Sequence, residues 1–155
     1  MRLTKAAALA ALVLGLWIAS GAQAWERAVK LEDLPAAVKK TVLEVSKGLK
    51  LRGLTREVEK GQTFYEAELE VEGRTRDVII DATGAVVLIE EEVPWDSVPA
   101  AVRAAIEKGA EGRKIVLVET LTRNGTIEAY EAHVKKGWRK TEIKVDPDGN
   151  PIVEK

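Results

Sequence analysis

The sequence predicts an α+β protein built as two tandem repeats, each of one helix plus a four-stranded antiparallel meander, with the helices on one sheet face. Three observations predict it. First, the chain echoes itself. Leu34-Pro35-Ala36-Ala37-Val38 returns 64 residues later as Val98-Pro99-Ala100-Ala101-Val102, and Tyr65-Glu66-Ala67 returns 65 residues later as Tyr130-Glu131-Ala132. A period that long belongs to a duplicated small domain, not to a solenoid. Second, the apolar period changes within each copy from 3.6 to 2, the switch from helix to strand. Third, runs of strands separated by single helices suggest an antiparallel sheet with its helices on one side.

The first 24 residues stand apart. Arg2 and Lys5 form a short positive region, residues 6–18 are an apolar run broken by Gly15, and Ala22-Gln23-Ala24 ends the stretch. This is the layout of a secretory signal peptide cut after Ala24. A retained anchor is the competing reading, but the run is shorter than the roughly 20 residues a spanning helix needs. The expected location is therefore periplasmic or secreted, with no membrane association after cleavage. The expected boundaries are 1–24 for the signal peptide, 25–92 for the first repeat and 93–155 for the second. There is no cysteine, which excludes a lipoprotein anchor, disulfides, thiolate metal sites and a cysteine nucleophile. Without Arg2 and Lys5 the formal net charge of −1 becomes −3. That balance does not suit a nucleic-acid partner or a polybasic membrane surface.

In the first copy, residues 25–32 read as an amphipathic lead-in. Asp33 is placed to cap a helix with Pro35 in its first turn. Leu34, Val38, Val42 and Val45 form one helical stripe, and Gly48 ends it. Residues 49–59 make a strand in which Gly53 is a point where it can kink. After the Lys60-Gly61 turn, Tyr65, Ala67, Leu69 and Val71 alternate with Phe64, Glu66, Glu68 and Glu70, as in a sheet with one buried and one wet face. Residues 74–81 and 85–90 are the third and fourth strands, joined by Asp81-Ala82-Thr83-Gly84.

Residues 91–96 read as a connector, broken by Pro94 and acidic residues. Ser97 is placed to cap the second helix, whose stripe is Val98, Val102, Ala105 and Ile106 and whose end is Gly109. Strands follow at 114–122, 126–135, 138–146 and 151–153, with turns at Asn124-Gly125, Lys136-Gly137 and Asp148-Gly149. Asn-Gly is a strong two-residue hairpin signal.

Candidate chemistry is sparse. His133, the sole histidine, sits on the outward face of its strand with Glu131. A zinc site there would need carboxylate help, so it reads as a surface histidine and no metal is expected. Asp146-Pro147-Asp148-Gly149-Asn150 has the start of a calcium loop but not its later ligands, and a hairpin turn accounts for it. Asn124-Gly125-Thr126 fits a glycosylation sequon, but the same residues are what the turn requires. Glu66, Glu68 and Glu70 alternate on one wet face, where a carboxylate is expected to be solvated and to lack the burial that raises a catalytic pKa. No cofactor and no catalytic residue is expected. The outer faces differ: the first copy presents Phe64, Glu66, Glu68, Glu70 and Asp77, the second a more basic set including His133, Lys135 and Trp138. Trp138 either anchors an interface or packs over the adjoining repeat. Trp25 and Trp95 precede the helices and read as staples against the core.

The Leu-Pro-Ala-Ala-Val helix start, Tyr65-Glu66-Ala67 with Asp81-Ala82-Thr83-Gly84, and Tyr130-Glu131-Ala132 with Asp146-Pro147-Asp148-Gly149 together resemble the PepSY superfamily, in its secreted branch of tandem repeats. The resemblance spans roughly residues 25–155. PepSY domains occur in propeptides of thermolysin-type metallopeptidases, where they are thought to inhibit, and in secreted proteins of unknown role. The tandem form is also similar in architecture to the beta-lactamase inhibitory protein, which uses disulfides and grips an enzyme on a concave sheet. No peptidase domain follows in this sequence, so a propeptide role in cis is not expected. The resemblance implies a non-enzymatic protein that binds, and can inhibit, another exported protein such as a peptidase. Its open sheet face would supply the contacts, with Phe64, Glu66, Glu68, His133, Lys135 and Trp138 among them. The alternative is a small-ligand or metal-ion binding module using the acidic strand face.

Overall fold

The structure, a computed structural model, describes residues 25–153. The expected signal peptide lies outside the described residues. In chain order the elements are β1 (Trp25–Ala28), α1 (Ala36–Val45), β2 (Lys50–Glu59), β3 (Gln62–Val71), β4 (Arg74–Asp81), β5 (Val86–Glu92), α2 (Ala100–Ala110), β6 (Lys114–Arg123), β7 (Thr126–Lys136) and β8 (Arg139–Val145).

The expectation of two repeats, each a helix plus a four-stranded meander, is overturned. Among the described residues there is one eight-stranded antiparallel sheet, in the order β1 to β8, with two helices. The residues read as a connector cause the difference. Glu91 and Glu92 do not leave the sheet. They pair with Thr120 and Glu119, and the Val93 N–H donates to the Val118 carbonyl at 2.9 Å. Only Pro94, which has no N–H to give, ends the ladder. The strand count per helix is also uneven. The amphipathic lead-in is an edge strand, Trp25–Ala28, paired with β2, while the expected strand at 151–153 reduces to one bridge between Val145 and Pro151.

Both helices start later than their capping residues suggest. Each is preceded by a 3-10 turn, at Leu31–Asp33 and Trp95–Ser97, and begins after a proline in the N-cap position with no side-chain cap. A residue before proline is pushed into extended backbone, so Leu34 and Val98 cannot be helical; their ψ angles are 145° and 133°. Gly109 does not end α2 but lies inside it, where a Cβ would come within 3.1 Å of Ile143 on β8. Its missing side chain lets the helix approach the sheet.

The helices pack on the same sheet face. Val38 and Val42 of α1 close over Leu54, Tyr65, Ala67, Leu69, Val78 and Ile80. Val102 and Ile106 of α2 close over Val118, Tyr130, Ala132, Val134 and Val145, with Trp95 against the edge of that cluster. The Asp-x-x-Gly turns brace this layer. Asp81 Oδ1 accepts the Thr83 and Ala85 N–H groups at 2.8 and 3.0 Å, and Asp146 Oδ1 accepts those of Asp148 and Asn150 at 3.0 and 2.8 Å. Gly84 then lies against Ala37 of α1 and Gly149 against Ala101 of α2. These carboxylates are engaged by turn N–H groups, as the hairpin reading requires.

Candidate functional site

The other face of the sheet carries the unusual chemistry. Neither helix covers it, yet Ile79, Leu88, Leu121 and Ala129 are buried there in a third apolar cluster, with Phe64 packed against its edge. A flat open face would leave them wet. They are shielded with no helix over them, and bulges at Leu51/Gly53, Ile79/Ile80, Ile115/Leu117 and Leu121/Thr122 increase the twist of the sheet.

Cross-strand register lines the acids up on this face. Glu68 stands opposite Asp77, and Asp77 opposite Glu90. One row away, Glu92 pairs with Glu119, Glu119 with Glu131, and Glu131 with Lys144. Glu90, Glu119 and Glu131 are only 2%, 5% and 3% exposed, values at which unpaired carboxylates are rare. Glu90 Oε2 has no hydrogen-bond partner within the protein.

Burial and crowding hold protons on these groups. Burial, then the charges of Asp77 and Glu68, push Glu66 up to about 8. Burial, then Glu119 and Glu68, push Asp77 up to about 7, with Arg52 opposing. Burial, then Glu131 and Glu119, push Glu90 up to about 10. The expectation that carboxylates on this face are solvated is therefore corrected. The alternation assigned Glu66 to the right face, but its environment is made by strands distant in sequence, which strip its water and surround it with like charge.

His133 is likewise not an isolated surface histidine. Its Nε2 lies 2.9 Å from Glu119 Oε2 and 3.6 Å from Glu131 Oε1, and its Nδ1 is 4.0 Å from Glu142 Oε1. The Glu119 contact raises its pKa against the opposing effect of burial. Glu119 was the missing partner: one charge in the apolar run Ile115-Val116-Leu117-Val118-Glu119, a signal readable in the sequence once β6 is paired with β7. Glu90, closing the run Val86-Val87-Leu88-Ile89, is the same kind of signal.

The structure brings Glu66 and Glu68 onto one face with His133, while Phe64 borders the apolar cluster. Lys135 is exposed, opposite Lys140 near the end of β7. Trp138 does not head a strand. It sits in the β7–β8 turn, 89% exposed, with the Arg139 guanidinium 5.7 Å from its ring. Lys135 and Trp138 thus project from the hairpin tip rather than line the carboxylate rows.

No protein-family model matches the chain, and no curated protein sequence matches it. Solved structures do. A protein assigned to the periplasm of Bacteroides eggerthii superposes with a TM-score of 0.63 at 18% identity, over 79% of this chain and 88% of its own. A DUF2874 family protein from Bacteroides uniformis gives 0.60 at 20% identity, over 77% and 86%. A BLIP-like protein from Bacteroides fragilis gives 0.55 at 19%, over 79% and 85%. This chain shares their fold. No helix among the described residues is long and apolar enough to cross a membrane.

Proposed function

We propose that the protein is an exported, non-enzymatic binding protein that takes a basic segment of another exported protein on its open sheet face. The observation that carries this reading is the cluster of Glu66, Asp77 and Glu90 on that face, three carboxyls whose hold on a proton is raised by desolvation and by neighbouring like charge. An arginine or lysine brought against them would let them ionise and would replace like-charge repulsion with charge-assisted hydrogen bonds. The helices lie on the opposite face and leave this one open.

Export is supported by the leader-like layout of residues 1–24 and by the periplasmic assignment of proteins with this fold. The likeness to a BLIP-like protein supports the finer reading that binding modulates or inhibits an exported enzyme such as a peptidase, as does the sequence resemblance to PepSY proteins. Phe64, Glu66, Glu68 and His133 belong to the contact face in this reading, with Lys135 and Trp138 at its rim.

Affinity capture from an envelope extract tests it. The tagged protein should retain a partner that elutes with salt and is lost when Glu66→Lys and Asp77→Lys are combined. Retention of the same proteins by the charge-reversed variant would count against the reading.

A further inference from the structure

We propose that Glu119, Glu131 and His133 form a binding site for a divalent transition-metal ion of the zinc class. This goes beyond the binding role above: His133 is shared with that contact face, but Glu119 and Glu131 are not, and the ion needs no partner protein. The ligand atoms of the three side chains all lie within 4.8 Å of one another. Bonds of roughly 2.1 Å to a tetrahedral ion place ligand atoms about 3.4 Å apart. His133 Nε2 and Glu131 Oε1 already stand at 3.6 Å. The 2.9 Å between Nε2 and Glu119 Oε2 is a hydrogen-bond distance, and opens by about half an ångström when an ion replaces the shared proton.

The surroundings suit an ion. Lys144 Nζ holds Glu131 Oε2 at 3.0 Å, while Oε1 is the oxygen facing His133. Glu142 stands beyond Nδ1, on the far side of the ring, where a metal-bound histidine commonly directs its second nitrogen toward a carboxylate. A second, independent observation points to a ligand. Glu90 is almost wholly buried on the same face, its Oε2 lacks any hydrogen-bond partner, and the charges pressing on it hardest are those of Glu131 and Glu119. A dication held by Glu119 and Glu131 would offset the charge they press on Glu90. The donor set chooses the metal class: an imidazole nitrogen suits zinc and its neighbours, whereas calcium and magnesium take oxygen ligands.

His133 is the chain's one histidine, so its imidazole resonances in the ¹⁵N-labelled protein report on the site without any substitution. Zinc ion alone is added to metal-free protein, with calorimetry in parallel. One zinc per chain is expected, shifting Nε2 at stoichiometric amounts. Glu119→Gln and Glu131→Gln should each weaken binding by at least ~10-fold, and Glu107→Gln, exposed on α2 on the other side of the sheet, should leave it unchanged. An imidazole unmoved by excess zinc would overturn the proposal. So would zinc heat without an imidazole shift, or an equal shift in Glu119→Gln protein of native circular dichroism.

Discussion

Asp77 and Glu90 stand directly opposite each other on β4 and β5, on the sheet face that neither helix covers. Like charges directly opposite in a sheet are destabilising. Here burial adds to the repulsion, and the cost is lowered by keeping protons on.

Stability should therefore fall as pH rises. Unfolded carboxylates titrate near 4, whereas Asp77, Glu66 and Glu90 titrate at about 7, about 8 and about 10 in the folded protein. A group with a raised folded pKa stabilises fully below its unfolded pKa, and that contribution is lost as pH rises through the folded value. His133, also raised, acts in the same sense. Asp81 and Asp146 are lowered by the hydrogen bonds of Thr83 and Asn150, and act oppositely, only in the acid range. Thermal melts from about pH 5 to about pH 9 should show a falling Tm, and Glu66→Gln combined with Asp77→Asn should flatten the curve. A wild-type Tm that rises over this range would contradict the burial of these groups.

The glycines of the two Asp-x-x-Gly turns should resist substitution. Gly149 has φ +87°, and a Cβ there would meet the Ala101 carbonyl oxygen at 2.7 Å; Gly84 has φ +89°, with the Ala37 backbone at 2.9 Å. Gly149→Ala and Gly84→Ala should each cost at least ~1–3 kcal/mol in urea unfolding, since backbone strain adds to the clash. Gly73→Ala, where a Cβ meets nothing within 4 Å, should cost less than either.

The two apolar layers should both matter. Ile106 lies wholly buried between α2 and the sheet, and Ile79 wholly buried on the helix-free face. Truncation of either to alanine should cost about 2–5 kcal/mol. An Ile79→Ala variant of wild-type stability would show that Ile79 is not buried there.

Trp138 should separate stability from binding. Its exposure predicts that Trp138→Ala changes unfolding free energy by no more than ~0.5 kcal/mol. If the hairpin tip is the rim of the contact face, the same variant should weaken partner capture.

The local pattern carried a great deal. Alternation along Tyr65-Glu66-Ala67-Glu68-Leu69 and along Tyr130-Glu131-Ala132-His133-Val134 sorts every one of these residues to its face, because a strand's period of 2 is a property of the backbone. The Asn124-Gly125 turn needs positive φ at both positions, and the residues that allow it are visible as letters; their φ angles are 48° and 76°. Pairing is a different matter. Nothing local says that Glu91 and Glu92 bond to β6 rather than turn away, or that Glu119 will lie beside His133, fourteen positions away. Register between distant strands, and the curl of an eight-stranded sheet, depend on every strand at once. Thus the sequence by itself determined most of the helices and central strands, their faces and the tight turns, but not the edge strand Trp25–Ala28 or the pairing of Glu91 and Glu92. Only the tertiary structure decided that two expected meanders become one sheet and that residues of its helix-free face are buried. That packing makes Glu66, Asp77 and Glu90 hold their protons to higher pH than ordinary carboxyls, because desolvation and like-charge repulsion depend on what surrounds a carboxylate in space.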